Sequence, residues 1–237
     1  TLAGEQDAEV TVSGPGGEHV TIRLHAVCSR RFTPHNVDAF GGLTGPTSIA
    51  AEDARGNITA DGARWERIPD YGRGASGMAV FPVTAKSVTP PDDAPRLEYP
   101  VFIAEAGEVR VDLVTGIALN TQPGRGVRIA VSLDDEAPQI LDAFEGQSFD
   151  DPSKRGDTSA PAIRNWHTWV KDNVRTLTST HHASGPGVHT LKVWMVDPGV
   201  VLEKLVVRRA PLSRSYFGPS AVMWGCNGDG RGDPEAK

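Results

Sequence analysis

Cysteine is nearly missing from this chain: Cys28 and Cys226 are the only two in 237 residues. A disulfide framework is therefore excluded, and what is left is either one bridge closing a very long loop, as in an exported protein, or two unpaired thiols. Positive charge is also scarce. Lys and Arg number 24 against 30 Asp and Glu, the net charge is −6 and no basic stripe occurs, which excludes the cluster of cations that binding to a nucleic acid requires. No apolar run reaches the roughly 18 residues of a membrane span, and no charged, apolar and small-residue leader is present, so neither a span nor an intact signal peptide is expected. Ser76 lies between Ala75 and Gly77 without the first glycine of a nucleophile elbow. Gly124-Arg125-Gly126 lacks the Gly-Lys-Ser/Thr ending of a phosphate loop. There is no internal repeat.

What the chain has is turn chemistry. Its 26 Gly and 18 Pro favour many short strands over helices, and its length allows a core that needs no cofactor. The expected fold is all-β, a sandwich with one short helix preceded by an N-terminal hairpin. That hairpin spans Glu9 to Leu24, with Val10 and Val12 on one strand, Val20, Ile22 and Leu24 on the other, and Gly14-Pro15-Gly16-Gly17 between them. The Pro- and Gly-bearing stretch from Ala26 to Thr47 has the composition of a connection, so residues 1–47 are assigned to hairpin and linker, 48–219 to the sandwich and 220–237 to a fraying tail. Strands are predicted at Ser48 to Glu52, Arg64 to Ile68, Gly77 to Phe81, Arg96 to Ala104, Glu108 to Val114, Gly126 to Leu133, Gln139 to Asp142, Asn173 to Ser179, Val188 to Met195 and Val200 to Val207. The last two flank Asp197-Pro198-Gly199 and read as an antiparallel hairpin. Ile163, Trp166, Trp169 and Val170 repeat at helical spacing behind Pro161.

Chemistry is harder to find. Glycoside hydrolysis needs two carboxyl groups facing each other across a cleft, whereas Asp134 with Asp135 reads as a turn and Asp150 with Asp151 as solvated loop charge. His181 and His182 are adjacent on a strand and point to opposite faces, which prevents them from sharing a metal. Arg231-Gly232-Asp233 is explained by a Gly-rich acidic tail. Sugar binding would show itself in tryptophan, because an aromatic face stacks on a pyranose while polar neighbours bond its hydroxyls. Trp166, Trp169 and Trp194 suit core packing; Trp65, Tyr71 and Phe149 are the candidates for an exposed platform.

Four segments carry a family resemblance: WERIPDYGRGASGM from Trp65, RIAVSLDDEAPQIL from Arg128, WHTWVKDNVRTLTS from Trp166 and HTLKVWMVDPGVVLEKLVV from His189. Together they resemble the C-terminal β-sandwich domain of glycoside hydrolase family 115, the xylan α-1,2-glucuronidases. The resemblance implies a jelly-roll sandwich similar to carbohydrate-binding module families 6 and 35, acting with the catalytic domains of its parent on glucuronoxylan or another uronic-acid-bearing polysaccharide. It also implies a secreted or periplasmic setting. The family's catalytic carboxylates lie on domains that precede this region, so the chain alone is expected to be inactive. The alternatives are part of an active hydrolase releasing 4-O-methylglucuronic acid, and a ligand-free scaffold or homodimerisation domain. The first hairpin resembles the closing strands of the sandwich that precedes this domain in the intact enzymes. In the related modules, acidic residues on the first and last strands hold a structural calcium, and Glu52 and Glu203 stand at those positions, with Ala50 where a further acidic residue is usual. A salt bridge is the other reading of Glu203. A uronate would need a cation beside its platform, and Arg73 next to Tyr71 is the expected one.

Overall fold

The computed structural model describes residues 4–28, 39–41, 45–122, 125–144, 161–213 and 215–219. They fall into two units, a hairpin and a sandwich that begins at Ala39.

In the hairpin, β1 (Gly4–Ser13) pairs with β2 (His19–Cys28) in a register that sets Val10 against Ile22 and Val12 against Val20. Because side chains alternate along a strand, these four share one face, and Glu9, Thr11, Thr21 and Arg23 share the other. The turn is closed by the Gly14 N–H donating to the Glu18 carbonyl at 2.8 Å. All four apolar side chains are exposed, from 45% for Val10 to 62% for Val20.

The sandwich is made of β3 (Thr47–Ala50), β4 (Gly56–Ile58), β5 (Arg64–Pro69), β6 (Ser76–Phe81), β7 (Arg96–Ile103), β8 (Gly107–Thr115), β9 (Arg128–Leu133), β10 (Gln139–Asp142), α1 (Pro161–Asp172), β11 (Arg175–Ala183), β12 (Gly187–Met195) and β13 (Val201–Arg208). One sheet runs β10-β9-β12-β7-β4 and the other β11-β8-β13-β6-β5, with every pairing antiparallel. Strand β3 lies against β13 at Lys204 to Val207, while β6 meets β13 at Val201 and Leu202. Alternation then selects the core: Leu97, Tyr99 and Val101 of β7 and Leu191 and Val193 of β12 face Val111 and Leu113 of β8 and Leu202 and Leu205 of β13 in one buried cluster.

Three expectations change. The runs on either side of Asp197 are strands, but they do not form a hairpin: β12 lies in one sheet and β13 in the other. The reason is burial on both faces. Trp194 and Val196 belong to a small cluster with Ala94 and Ala130, behind the face that carries Val193 and Met195, which shields the backbone of β12 from water, so its N–H and C=O groups need partners on both edges and find them in β7 and β9. The sandwich also begins earlier than Thr47, because Phe40 is buried in the core and forms a parallel bridge to Val101. Strand β4 was not expected, since Gly56-Asn57-Ile58 is too short to show a period.

Helix α1 starts at Pro161 and stops where Asn173 adopts φ 54°, a left-handed C-terminal residue of the kind asparagine tolerates. No helix among the described residues is long and apolar enough to cross a membrane.

Candidate functional site

The register of β13 shifts between Leu202 and Lys204. A bulge at this point leaves Leu202 and Leu205 in the core and lets Glu203 and Lys204 both line one cavity, together with Arg73, Asp112, Thr176 and Phe217. Its volume is about 230 Å³. Glu203 is only 6% exposed. Its Oε2 accepts the backbone N–H of Arg73 at 3.0 Å, and its Oε1 is buried with no partner. Burial pushes its carboxyl above the ordinary value, and the Arg73 N–H with the charges of Arg73 and Lys204 offsets only part of this. Burial likewise lowers Lys204, whose Nζ donates to the carbonyls of Phe217 at 2.8 Å and Pro219 at 3.3 Å.

Tyr71, Arg73 and Glu203 are thus brought together. The Tyr71 ring is half-buried against Gly77 and Gly116, and burial followed by the nearby Glu203 charge raises its hydroxyl. Arg73 is held from several sides: Nε donates to the Asp172 carbonyl at 2.6 Å, Nη2 to the same oxygen and Nη1 to the Tyr216 carbonyl, while the guanidinium carbon lies 3.9 Å from the centre of the Tyr216 ring. Each of its three nitrogens donates to a backbone carbonyl of the protein.

Trp65 is not a platform. It is 2% exposed and belongs to the core cluster, because it faces inward at the start of β5, where the neighbouring Arg64 and Glu66 point away and pair with each other at 2.9 Å. Glu52 is ion-paired with Arg67 and so has a different partner from Glu203. Phe149, Cys226, Trp224 and the side chains of Cys28 and Trp166 lie outside the described residues. Calcium takes six to eight oxygens. Glu203 Oε1 offers one open acceptor, but its neighbours Arg73 and Lys204 are cations, Glu52 is committed to Arg67, and no cluster of three acidic, histidine or cysteine side chains occurs among the described residues.

Sequence reasoning missed two arginines. Arg208 donates Nε to Asp112 Oδ2 at 2.6 Å and Nη2 to Oδ1 at 3.1 Å, and Thr178 adds its hydroxyl to the same carboxylate at 2.7 Å. Arg175 is 2% exposed and stacks against Phe144 and Trp169. The available signal was alternation, since Arg175, Ser179, His181 and Ala183 share the inward register of β11. A Ser–His–Glu line also occurs: His181 lies 2.8 Å from Ser179 Oγ through Nε2 and 2.8 Å from Glu136 through Nδ1. Ser179 is buried inside the sandwich, out of reach of a substrate, so this line ties the turn after β9 to β11.

The fold is an antiparallel β-sandwich of two sheets. The match to the glycosyl hydrolase family 115 C-terminal domain takes in residues 40–221, and the chain belongs to that family. No curated protein matches it. Among solved structures it is similar to a family 115 4-O-methyl-α-glucuronidase with specificity for decorated arabinogalactans (18% identity, 67% of this chain and 18% of that one, TM-score 0.44). It is also similar to the C-terminal family 6 carbohydrate-binding module of a laminarinase from Zobellia galactanivorans (13%, 70% and 100%, 0.43) and to a family 35 module from Clostridium thermocellum (12%, 70% and 100%, 0.43).

Proposed function

We propose that this domain binds a uronic-acid-bearing polysaccharide, glucuronoxylan in the first instance, and holds it for the catalytic domains of a secreted or periplasmic family 115 α-glucuronidase. Membership of a family of domains joined to such hydrolases supports the glycan class. The cavity beside Glu203 carries the reading, because it sets the polar side chains of Arg73, Asp112, Thr176, Glu203 and Lys204 around an apolar wall at Phe217, the mixture of one flat surface and a few fixed polar groups that suits a sugar. Calorimetric titration with glucuronoxylan oligosaccharides tests it. Saturable heat supports binding, and its absence refutes it. Calcium belongs to the same proposal as a structural ion that would draw Glu52 away from Arg67, and a melting temperature that is equal in calcium and in chelator removes it.

One observation favours a scaffold as the second reading. The exposed face formed by Val10, Val12, Val20 and Ile22 is apolar on a two-stranded sheet, which by itself is marginally stable. Self-association that rises with concentration, without glycan affinity, would select this reading. Release of 4-O-methylglucuronic acid by the chain alone would instead place it within an active hydrolase.

A further inference from the structure

Arg175 opens β11 on its inward face, opposite Thr115 at the end of β8. Its guanidinium carbon is 4.2 Å from the centre of the Phe144 ring and 3.9 Å from that of Trp169. Both rings therefore pack directly against the guanidinium. Nε and Nη2 are both buried and neither has a hydrogen-bond partner.

These two nitrogens form one fork, and the protein itself shows what such a fork takes: Arg208 uses the same pair of atoms to grip both oxygens of Asp112. Asp142 is near enough for its charge to offset part of the burial that lowers Arg175 to about 10, but its oxygens are committed elsewhere, Oδ2 to the N–H of Gly126 at 3.1 Å and Oδ1 to the N–H of Phe144 at 2.7 Å. Leaving charged donors buried and unpaired is costly, and native proteins seldom do it without a ligand, a water or a function to explain it. A sugar hydroxyl presents a single oxygen to such an edge. A carboxylate presents two, at the spacing of the fork.

We propose that Arg175 receives the carboxylate of a uronic acid residue side-on, between Phe144 and Trp169, with the Trp169 indole moving aside to admit it. The inference rests on the carbohydrate-binding reading and names a second place for the uronate, since Arg175 faces inward from β11 whereas Thr176 lines the cavity beside Glu203 on the other face. Trp169 suits a movable cover. Its neighbours His167, Thr168, Val170 and Lys171 are exposed, and Trp169 itself is half-buried.

The test compares xylotetraose bearing one glucuronic acid, unsubstituted xylotetraose, sodium glucuronate and sodium acetate, read by calorimetry and by tryptophan fluorescence, on the full chain and on Arg175→Met. This variant removes a buried unpaired charge while keeping an unbranched stem, so it is expected to fold at least as well as the parent; Arg175→Lys, which keeps charge and loses the fork, is the second. The expected result is at least a tenfold preference for the charged over the neutral oligosaccharide, with a fluorescence change, lost in both variants while neutral affinity is kept. Equal affinity for both oligosaccharides in the parent, or a preference that survives in Arg175→Met, overturns the role of Arg175 and leaves carbohydrate binding standing. Glucuronate binding lost in both variants, with no added affinity from the xylotetraose, keeps Arg175 as the receptor and removes the polysaccharide. Acetate binding as tightly as glucuronate, or no binding of any probe, overturns the proposal.

Discussion

A methyl group on Gly72 would sit 2.1 Å from the carboxyl carbon of Glu203. Gly72 lies in the turn between β5 and β6 and Glu203 within β13, 131 positions later, where the bulge brings the carboxylate up against the Tyr71–Arg73 turn. Gly72 also adopts φ +69°, where any side chain is strained. Gly72→Ala is therefore expected to cost roughly 1–3 kcal/mol from backbone strain alone, plus whatever displacing Glu203 adds. Urea denaturation measures the loss, and the double variant with Glu203→Ala should recover the part that comes from the collision. No recovery would mean that the turn, and not the carboxylate, sets the cost.

Glu203 itself has a signed pH dependence. Burial raises its carboxyl above 4.5 in the folded state, so between 4.5 and the raised value the native state holds more protons than the unfolded one, and stability falls as pH rises through that window. Glu203→Gln keeps the shape and removes the titration. The variant is expected to melt higher than the parent at pH 7 and to lose this slope. A lower melting temperature at pH 7, with or without calcium present, would show that the ionised carboxylate is needed where it lies.

Trp65 is tested by removal. Its ring is buried in the sandwich core, so Trp65→Ala should destabilise the domain by about 3–5 kcal/mol while leaving the affinity of the folded fraction for oligosaccharide unchanged. A stable variant with weakened binding would restore Trp65 to the binding surface.

The sandwich was legible in the sequence wherever one face of a strand is wet. Alternation through Arg64 to Pro69 and Gly107 to Thr115 located β5 and β8 within a residue or two, and Pro161 with the 3.6-residue repeat located α1. The pairing of β12 was not legible, because a strand buried on both faces, as at Val193 and Trp194, shows an apolar run that does not say which neighbours cover it. The candidate cavity was half legible. Tyr71 and Arg73 are adjacent in sequence and the resemblance pointed to Glu203, but the commitment of Arg73 to Asp172 and Tyr216 depends on contacts 99 and 143 residues away. Arg175 was overlooked for a different reason: alternation puts it in the inward register of β11 with Ser179, His181 and Ala183, but that register is largely polar and does not read as a buried face.

The turn that sends the chain from one sheet to the other is pinned by Asp197, and acid should release it. Burial alone would raise this carboxyl, but hydrogen bonds from Arg125 at 2.5 and 2.7 Å, from the side chain and backbone N–H of Arg128 at 3.2 and 2.9 Å, and from Ser87 outweigh burial and hold it at about 2. A folded value below the ordinary 3.8 means that the unfolded chain binds the proton more readily, so the stabilisation is complete above about pH 4 and disappears as pH falls towards 2. The shift corresponds to roughly 2 kcal/mol at neutral pH. Asp197→Asn is expected to lose about that much at pH 7, because Arg125 and Arg128 lose their anion, and to unfold in acid with a shallower slope between pH 4 and 2. Equal acid limbs for parent and variant in a denaturation series would show that the crossing between the sheets is held by its packing, with the two arginines contributing nothing measurable.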